Sequence, residues 1–199
     1  MNDDTRTSWQ GYSSQVERTI AIGRAIGGQA RGGDVIALIG ELAAGKTQLT
    51  KGIAAAMGVD DRAVSSPTFV LMHEHEPADD GPALVHVDAY RVKSGAEIEA
   101  AGFDGEGQAD TVTVVEWADR ITDALGADRL VVRLDHDGDG RLIDITAHGD
   151  WLTRMDDLHI ALDRALQPAE PAPCPICKKP VGEDAETFPF CSKRCRTID

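Results

Sequence analysis

Eight consecutive residues of this chain are able to hold a phosphate group. Gly40, Glu41, Leu42, Ala43, Ala44, Gly45, Lys46 and Thr47 satisfy the pattern G-x-x-x-x-G-K-[ST] in full. The glycines let a loop wrap its backbone N–H groups around phosphate oxygens, and a helix that follows adds the partial positive charge of its N-terminus. In such a loop Lys46 neutralises the β- and γ-phosphates, and Thr47 offers its hydroxyl to Mg2+. All eight are read as nucleotide-binding positions.

A phosphate loop needs an acid near its metal. Glu116 follows the apolar run from Thr111 to Val115, so a strand would carry it to its own carboxyl end. Asp88 closes a similar run from Ala83 and opens the polar group Asp88-Ala-Tyr90-Arg91, preceded by His86. In open α/β sheets ligands collect outside the carboxyl ends of strands, where both acids fall. A third polar group, Ser65-Ser-Pro-Thr68-Phe69, precedes another candidate strand. Ordinary alternatives exist for each: a solvated strand-end Glu116, an Asp88 that caps a turn, an Arg91 in a surface ion pair.

A second chemistry sits near the end of the chain. Cys174 and Cys177 are separated by two residues, Cys191 and Cys195 by three, with thirteen residues between the pairs. That spacing suits a closed tetrahedral site of four cysteines for Zn2+, and a segment this short could hardly build a core without metal. In a cytosolic chain, clustered cysteines favour metal over disulfides.

The elements that must position these groups can be read from periodicity. Asp34 to Ile39 is a nearly continuous apolar run between glycines, expected as a central parallel strand buried on both faces. Thr47 to Met57 reads as a helix stopped by Gly58, and Ser14 to Gly28 as a helix burying Val16, Ile20, Ala21 and Ile26. Further strands are expected at Thr68–His73, Ala83–Asp88, Thr111–Trp117, Leu130–Asp135 and Leu142–Thr146, the last two joined as a hairpin through residues 137–140. Glu74 to Pro82 reads as a solvated loop, and Trp151 to Leu166 as a closing amphipathic helix that includes Leu152 and Ile160 in its stripe. The predicted fold is α/β, a mixed sheet of P-loop type flanked by helices. The expected organisation is a domain over 1–166, a Pro-rich linker over 167–173 and a small zinc knuckle over 174–199.

Composition narrows the functional classes. The net charge is -14, and residues 168–199 are charge-balanced, so the whole excess lies in the first 167 residues. Such a body disfavours direct binding to a nucleic-acid backbone, which needs clustered Lys and Arg. The opening MNDDTRTSWQ has neither a basic n-region nor an apolar h-region, and no apolar run approaches the length of a membrane span. A cytoplasmic protein is expected.

Taken in order, the loop at Gly40 to Thr47, Ser66-Pro67-Thr68-Phe69, the group from His86 to Arg91, and Glu116-Trp117 resemble the TsaE family, formerly YjeE. The resemblance covers residues 12 to 166 or so. It implies an ATPase of threonylcarbamoyladenosine synthesis on tRNA that works with TsaB and TsaD and meets tRNA only through them. It also implies roles: Lys46 on phosphate, Thr47 and Glu116 on Mg2+, Asp88 and Thr68 near the γ-phosphate. The family's usual loop reads G-D-L-G-A-G-K-T, so Glu41 and Ala43 depart from it, and Ala43 replaces a glycine. The cysteine-bearing tail resembles YacG, a zinc protein that inhibits DNA gyrase, which implies Zn2+ on Cys174, Cys177, Cys191 and Cys195 and names gyrase as a partner. Two other readings compete: a P-loop small-molecule kinase, and a nucleotide switch or gyrase-binding module in which hydrolysis is incidental. No clustered arginines suggest the lid that small-molecule kinases commonly close.

Overall fold

The computed structural model describes residues 7–65, 71–103, 105–167, 172–181, 187 and 190–197. The chain divides into two compact units, residues 1–166 and 167–199. Each is described by itself.

The larger unit is built on a seven-stranded mixed sheet. In chain order its elements are β1 (Ser8–Ser13), α1 (Val16–Gly27), β2 (Val35–Gly40), α2 (Lys46–Ala56), β3 (Met72–His75), β4 (Ala83–Asp88), α3 (Gly95–Ala100), β5 (Thr111–Glu116), β6 (Leu130–Asp137), β7 (Gly140–Ala147) and α4 (Met155–Leu166). The strand order is β1-β7-β6-β2-β5-β4-β3. β2 pairs in parallel with β5 on one side and β6 on the other, and β4 is parallel to β5. The outer pairs β1–β7, β6–β7 and β3–β4 are antiparallel.

The central strands bury both faces, as their unbroken apolar runs predict. On one face Ile36, Leu38, Val114 and Val132 pack with Ile22 of α1, Leu49 and Ile53 of α2, and Leu158 and Leu162 of α4. On the other, Ala37, Val87 and Val115 meet Ile98 of α3, Phe103 and Ile121. An ion pair ties the closing element to the loop before β2: Arg154 grips Asp34 through two bonds of 2.6 and 2.7 Å and donates also to Gln29 O at 2.7 Å. With both side chains nearly excluded from water, removal of either partner would strand a buried charge.

Several expectations need correction. β1 had no expected counterpart, because Ser8–Ser13 offers only Trp9 to the core; its ring lies over Gly11, where a Cβ would stand 2.2 Å from it. The third strand runs over Met72–His75, so Glu74 and His75 belong to an edge strand and not to a loop; residues 66–70 lie outside the described residues. The helix expected from Trp151 begins with a 3-10 turn over Gly149–Arg154, and Leu152 and Ile160 point to solvent. The buried stripe of α1 is Thr19, Ile22, Gly23, Ile26 and Gly27, while Val16 is exposed.

That last difference has a physical reason. α1 and α2 cross with their backbones in contact: a Cβ on Gly23 would meet Leu49 O at 2.2 Å, and one on Gly52 would meet Ile20 O at 2.1 Å. Glycine, and not a large apolar side chain, makes the closest approach. α2 carries the phosphate loop at its N-terminus, so this contact sets where the loop stands. Gly52→Ala must push the helices apart and should cost about 1–3 kcal/mol, the usual range for overpacking. Gly81→Ala, whose nearest neighbour is Pro77 at 3.9 Å, is the matched control and should be neutral in thermal denaturation. Equal stability of the two variants would contradict the close crossing.

Candidate nucleotide and metal sites

Gly40 ends β2 at a place where a Cβ would lie 2.5 Å from Leu134 O. Gly45 takes a left-handed φ of 108° as the cap of α2, and Ala43 takes φ 61°. The alanine therefore sits in a conformation that glycine adopts freely, which is the strain its departure from the family's loop implies.

The loop's carbonyls are engaged in succession. Lys46 Nζ donates to Gly40 O at 2.7 Å and to Glu41 O at 2.9 Å. His136 Nε2 reaches Leu42 O at 3.4 Å. Arg141 donates to Ala43 O and Ala44 O, both at 3.0 Å. Holding carbonyl oxygens on cationic and imidazole donors leaves the amide groups at the start of α2 as the unsatisfied backbone donors, the arrangement a phosphate needs. The side chains of Glu41 and Leu42 are exposed, Leu42 by 74%, so these two positions contribute backbone alone.

Lys46 is nearly buried, and its ammonium also stands 3.7 Å from the centre of the Trp117 ring. Burial lowers its pKa, while the charges of Glu116, Asp88 and Asp119 oppose that shift. Trp117 reaches this position through a left-handed φ of 60° directly after β5, and Tyr90 packs against it with ring centroids 4.9 Å apart. Arg120 lies 5.5 Å from the same ring.

The parallel register of β4 and β5 sets Asp88 opposite Glu116. Glu116, only 2% exposed, accepts from Thr47 Oγ1 at 3.1 Å on one oxygen and bonds His86 Nε2 at 2.9 Å through the other. Asp88 accepts from Tyr90 N at 2.9 Å, a bond of the kind a turn acid makes. The hydroxyl of Thr47 and the carboxylate of Glu116 offer oxygen alone, the donor chemistry of a hard cation such as Mg2+. Beside them a cleft of about 370 Å3 is lined by the loop, Glu116 and Trp117. Thr68 lies outside the described residues.

His136 and Arg141 were not singled out by the sequence. Nothing local to residues 136–141 announces a contact with residues 42–44. The signal available was topological: β6 runs parallel to β2, so the β6–β7 turn must emerge at the end of the sheet where β2 delivers the phosphate loop.

In the second unit, β8 (Ala172–Pro173) pairs with β9 (Pro180–Val181), and α5 spans Lys193–Arg196. The four sulfur atoms lie within 4.8 Å of one another, with Cys177–Cys191 at 3.3 Å and Cys191–Cys195 at 3.7 Å. Zn–S bonds of about 2.3 Å in a tetrahedron require sulfur separations of about 3.8 Å, so the residues fit zinc. The first turn is closed by Lys178 N to Cys174 O at 2.9 Å, with Lys178 at φ 61°. Ser192 caps α5 and accepts from Cys195 N. Apart from cysteines, the described core of this unit is Val181 and Phe190, too little to hold it alone. The backbone N–H of Cys177, with smaller help from those of Cys191 and Ile176, lowers the Cys174 thiol to about 6. Cys191 is pushed up to about 12, chiefly by its bond with Cys177.

A strand, a glycine loop and a helix that starts at the loop's lysine, within a mixed sheet, define a P-loop protein. A family model described as Threonylcarbamoyl adenosine biosynthesis protein TsaE matches residues 13–143, and the chain belongs to that family. A second model, DNA gyrase inhibitor YacG, matches residues 172–199. The tRNA threonylcarbamoyladenosine biosynthesis protein TsaE of Streptomyces coelicolor is 46% identical over 115 residues, covering 57% of this chain and 76% of that protein. The Bacillus subtilis protein of the same name is 40% identical over 134 residues, covering 67% and 82%. The crystal structure of Bacillus subtilis YdiB superposes with a TM-score of 0.57 at 33% identity, covering 79% of this chain and 95% of the other. No helix among the described residues is long and apolar enough to cross a membrane.

Zinc bound by thiolates competes with protons, so its affinity falls as pH falls. Thiols must lose their protons to become ligands, so loading the site releases protons. Chelator competition should show zinc held progressively less tightly from about pH 8 to pH 6, with one zinc per chain by elemental analysis. Affinity independent of pH would mean that thiolates are not the ligands.

Proposed function

We propose that residues 1–166 form a Mg2+-dependent ATPase whose turnover serves threonylcarbamoyladenosine formation on tRNA, acting on a TsaB–TsaD-type complex. The observation that carries this reading is the 3.1 Å bond between Thr47 and Glu116, which brings the start of the phosphate-loop helix to the end of β5. Family membership and the names of the relatives supply the pathway.

In this reading the backbone of Gly40 to Thr47 cradles the phosphates, and Lys46 turns from the carbonyls of Gly40 and Glu41 to the β- and γ-phosphates. Thr47 and Glu116 hold the metal, directly or through water. Mg2+ there would offset charge on the transferred phosphoryl group. Asp88 and, by the family's pattern, Thr68 serve the terminal phosphate, where Asp88 orients the attacking water. Arg141 braces the loop at the left-handed Ala43 by holding the carbonyls of Ala43 and Ala44.

The excess negative charge of the first 167 residues makes direct approach to tRNA unfavourable. Partner proteins supply the basic surface, and nucleotide state is passed to them by differential affinity for the ATP and ADP forms. The tail is a structural zinc module for protein contact, with gyrase as the partner that the YacG match suggests. The cytoplasm is the compartment that fits this work.

In cells that depend on this chain, mass spectrometry of total tRNA should find the modified adenosine with the wild-type protein. It should be lost with Lys46→Ala or Glu116→Ala at equal protein abundance. Full modification supported by Lys46→Ala would remove nucleotide turnover from the function.

A further inference from the structure

His86 stands two residues before Asp88 on β4, opposite His73 on one side and Val114 of β5 on the other. Its side chain is fully buried, on the face of β4 that carries Asp88. Nε2 lies 2.9 Å from Glu116 Oε1, and Glu116 Oε2 receives the Thr47 hydroxyl at 3.1 Å. An ionised carboxylate only accepts, so Nε2 is the donor of this bond. Nδ1 is buried without a hydrogen-bond partner among the described residues. Among the described residues the ring's one hydrogen bond is to Glu116.

A glutamate at a strand end has three rotatable bonds and several places to put its carboxylate. Thr47 restrains one oxygen only, through a hydroxyl that itself rotates. The second restraint, from a rigid ring fixed in the core, selects the rotamer in which the free lone pairs of Glu116 lie beside Thr47. We propose that His86 is a positioning residue: it holds the Glu116 carboxylate in place so that the oxygen site for the divalent cation is formed before nucleotide arrives. This rests on the Mg2+-nucleotide reading given above. The role is geometric, and it predicts that the metal-linked part of nucleotide affinity, and not phosphate binding itself, depends on His86.

The amide nitrogen of glutamine can stand where Nε2 stands, whereas that of asparagine reaches only the Nδ1 position and falls short of Glu116. The full chain and its His86→Gln, His86→Asn and His86→Leu variants should be titrated with ADP by calorimetry, once in excess EDTA and once in Mg2+, with thermal denaturation alongside. Wild type should bind ADP more tightly in Mg2+. His86→Gln should keep that gain within about twofold, and His86→Asn should lose about tenfold of it, the size of loss typical when a partner of a metal ligand is removed. In EDTA the affinities of all folded variants should agree. Should His86→Asn fail to fold, His86→Leu, which carries no donor, reads the same loss. A Mg2+ gain that survives in His86→Asn or His86→Leu, or an equal loss in EDTA, overturns the positioning role alone. A wild-type chain whose ADP affinity ignores Mg2+ overturns the nucleotide reading and this inference with it.

Discussion

A carboxylate withdrawn from water must be paid for by donors, and Glu116 is the residue on which the larger unit is organised. At 2% exposure it has two among the described residues, the Thr47 hydroxyl and the His86 ring, and they come from different elements. Thr47 belongs to α2, whose position is set by backbone contact with α1 at Gly23 and Gly52. His86 belongs to β4, whose register with β5 also sets Asp88 opposite Glu116. The sheet order places β2 beside β5, and so brings the loop to the acid. Shifting β5 by a residue would turn Glu116 toward the opposite face, among Ala37, Val87 and Val115.

Around that centre the cation of Lys46 is balanced from several sides. Glu116, Asp88 and Asp119 oppose the effect of burial on its ammonium, and the Trp117 ring faces it. A nucleotide would present negative phosphates to a lysine already desolvated, which strengthens the attraction. The β6–β7 turn completes the cradle through His136 and Arg141, so residues far apart in sequence, 42–44 and 136–141, act on one loop.

What could be read from the sequence divides along physical lines. β2 and β5 are legible because a strand buried on both faces must be apolar throughout, and the phosphate loop is legible because its chemistry is local. Glu116 follows from β5, and Asp88 from the similar run of β4, since a strand's carboxyl end is visible as the place where its apolar run stops. β1 is not legible: six residues with one large inward side chain carry little periodic signal. The true stripe of α1 is hidden because glycines, which look like helix breakers, make its closest contact. The assignment of His86, His136 and Arg141 depends on sheet order, and sheet order is set by long-range pairing that no single segment displays. The cysteines are legible for the opposite reason: the short-range spacing of each pair already brings its sulfurs together, and only the thirteen-residue connection had to fold.

In the proposed function, Thr47 and Glu116 bracket a divalent cation on a nucleotide held by the loop. Anomalous diffraction from crystals grown with ADP and Mn2+ tests it most directly. A manganese peak is expected within bonding distance of Thr47 Oγ1, close to Glu116, with the ADP phosphates on the backbone amides at the start of α2. A peak remote from both residues, or phosphates bound elsewhere, would contradict it.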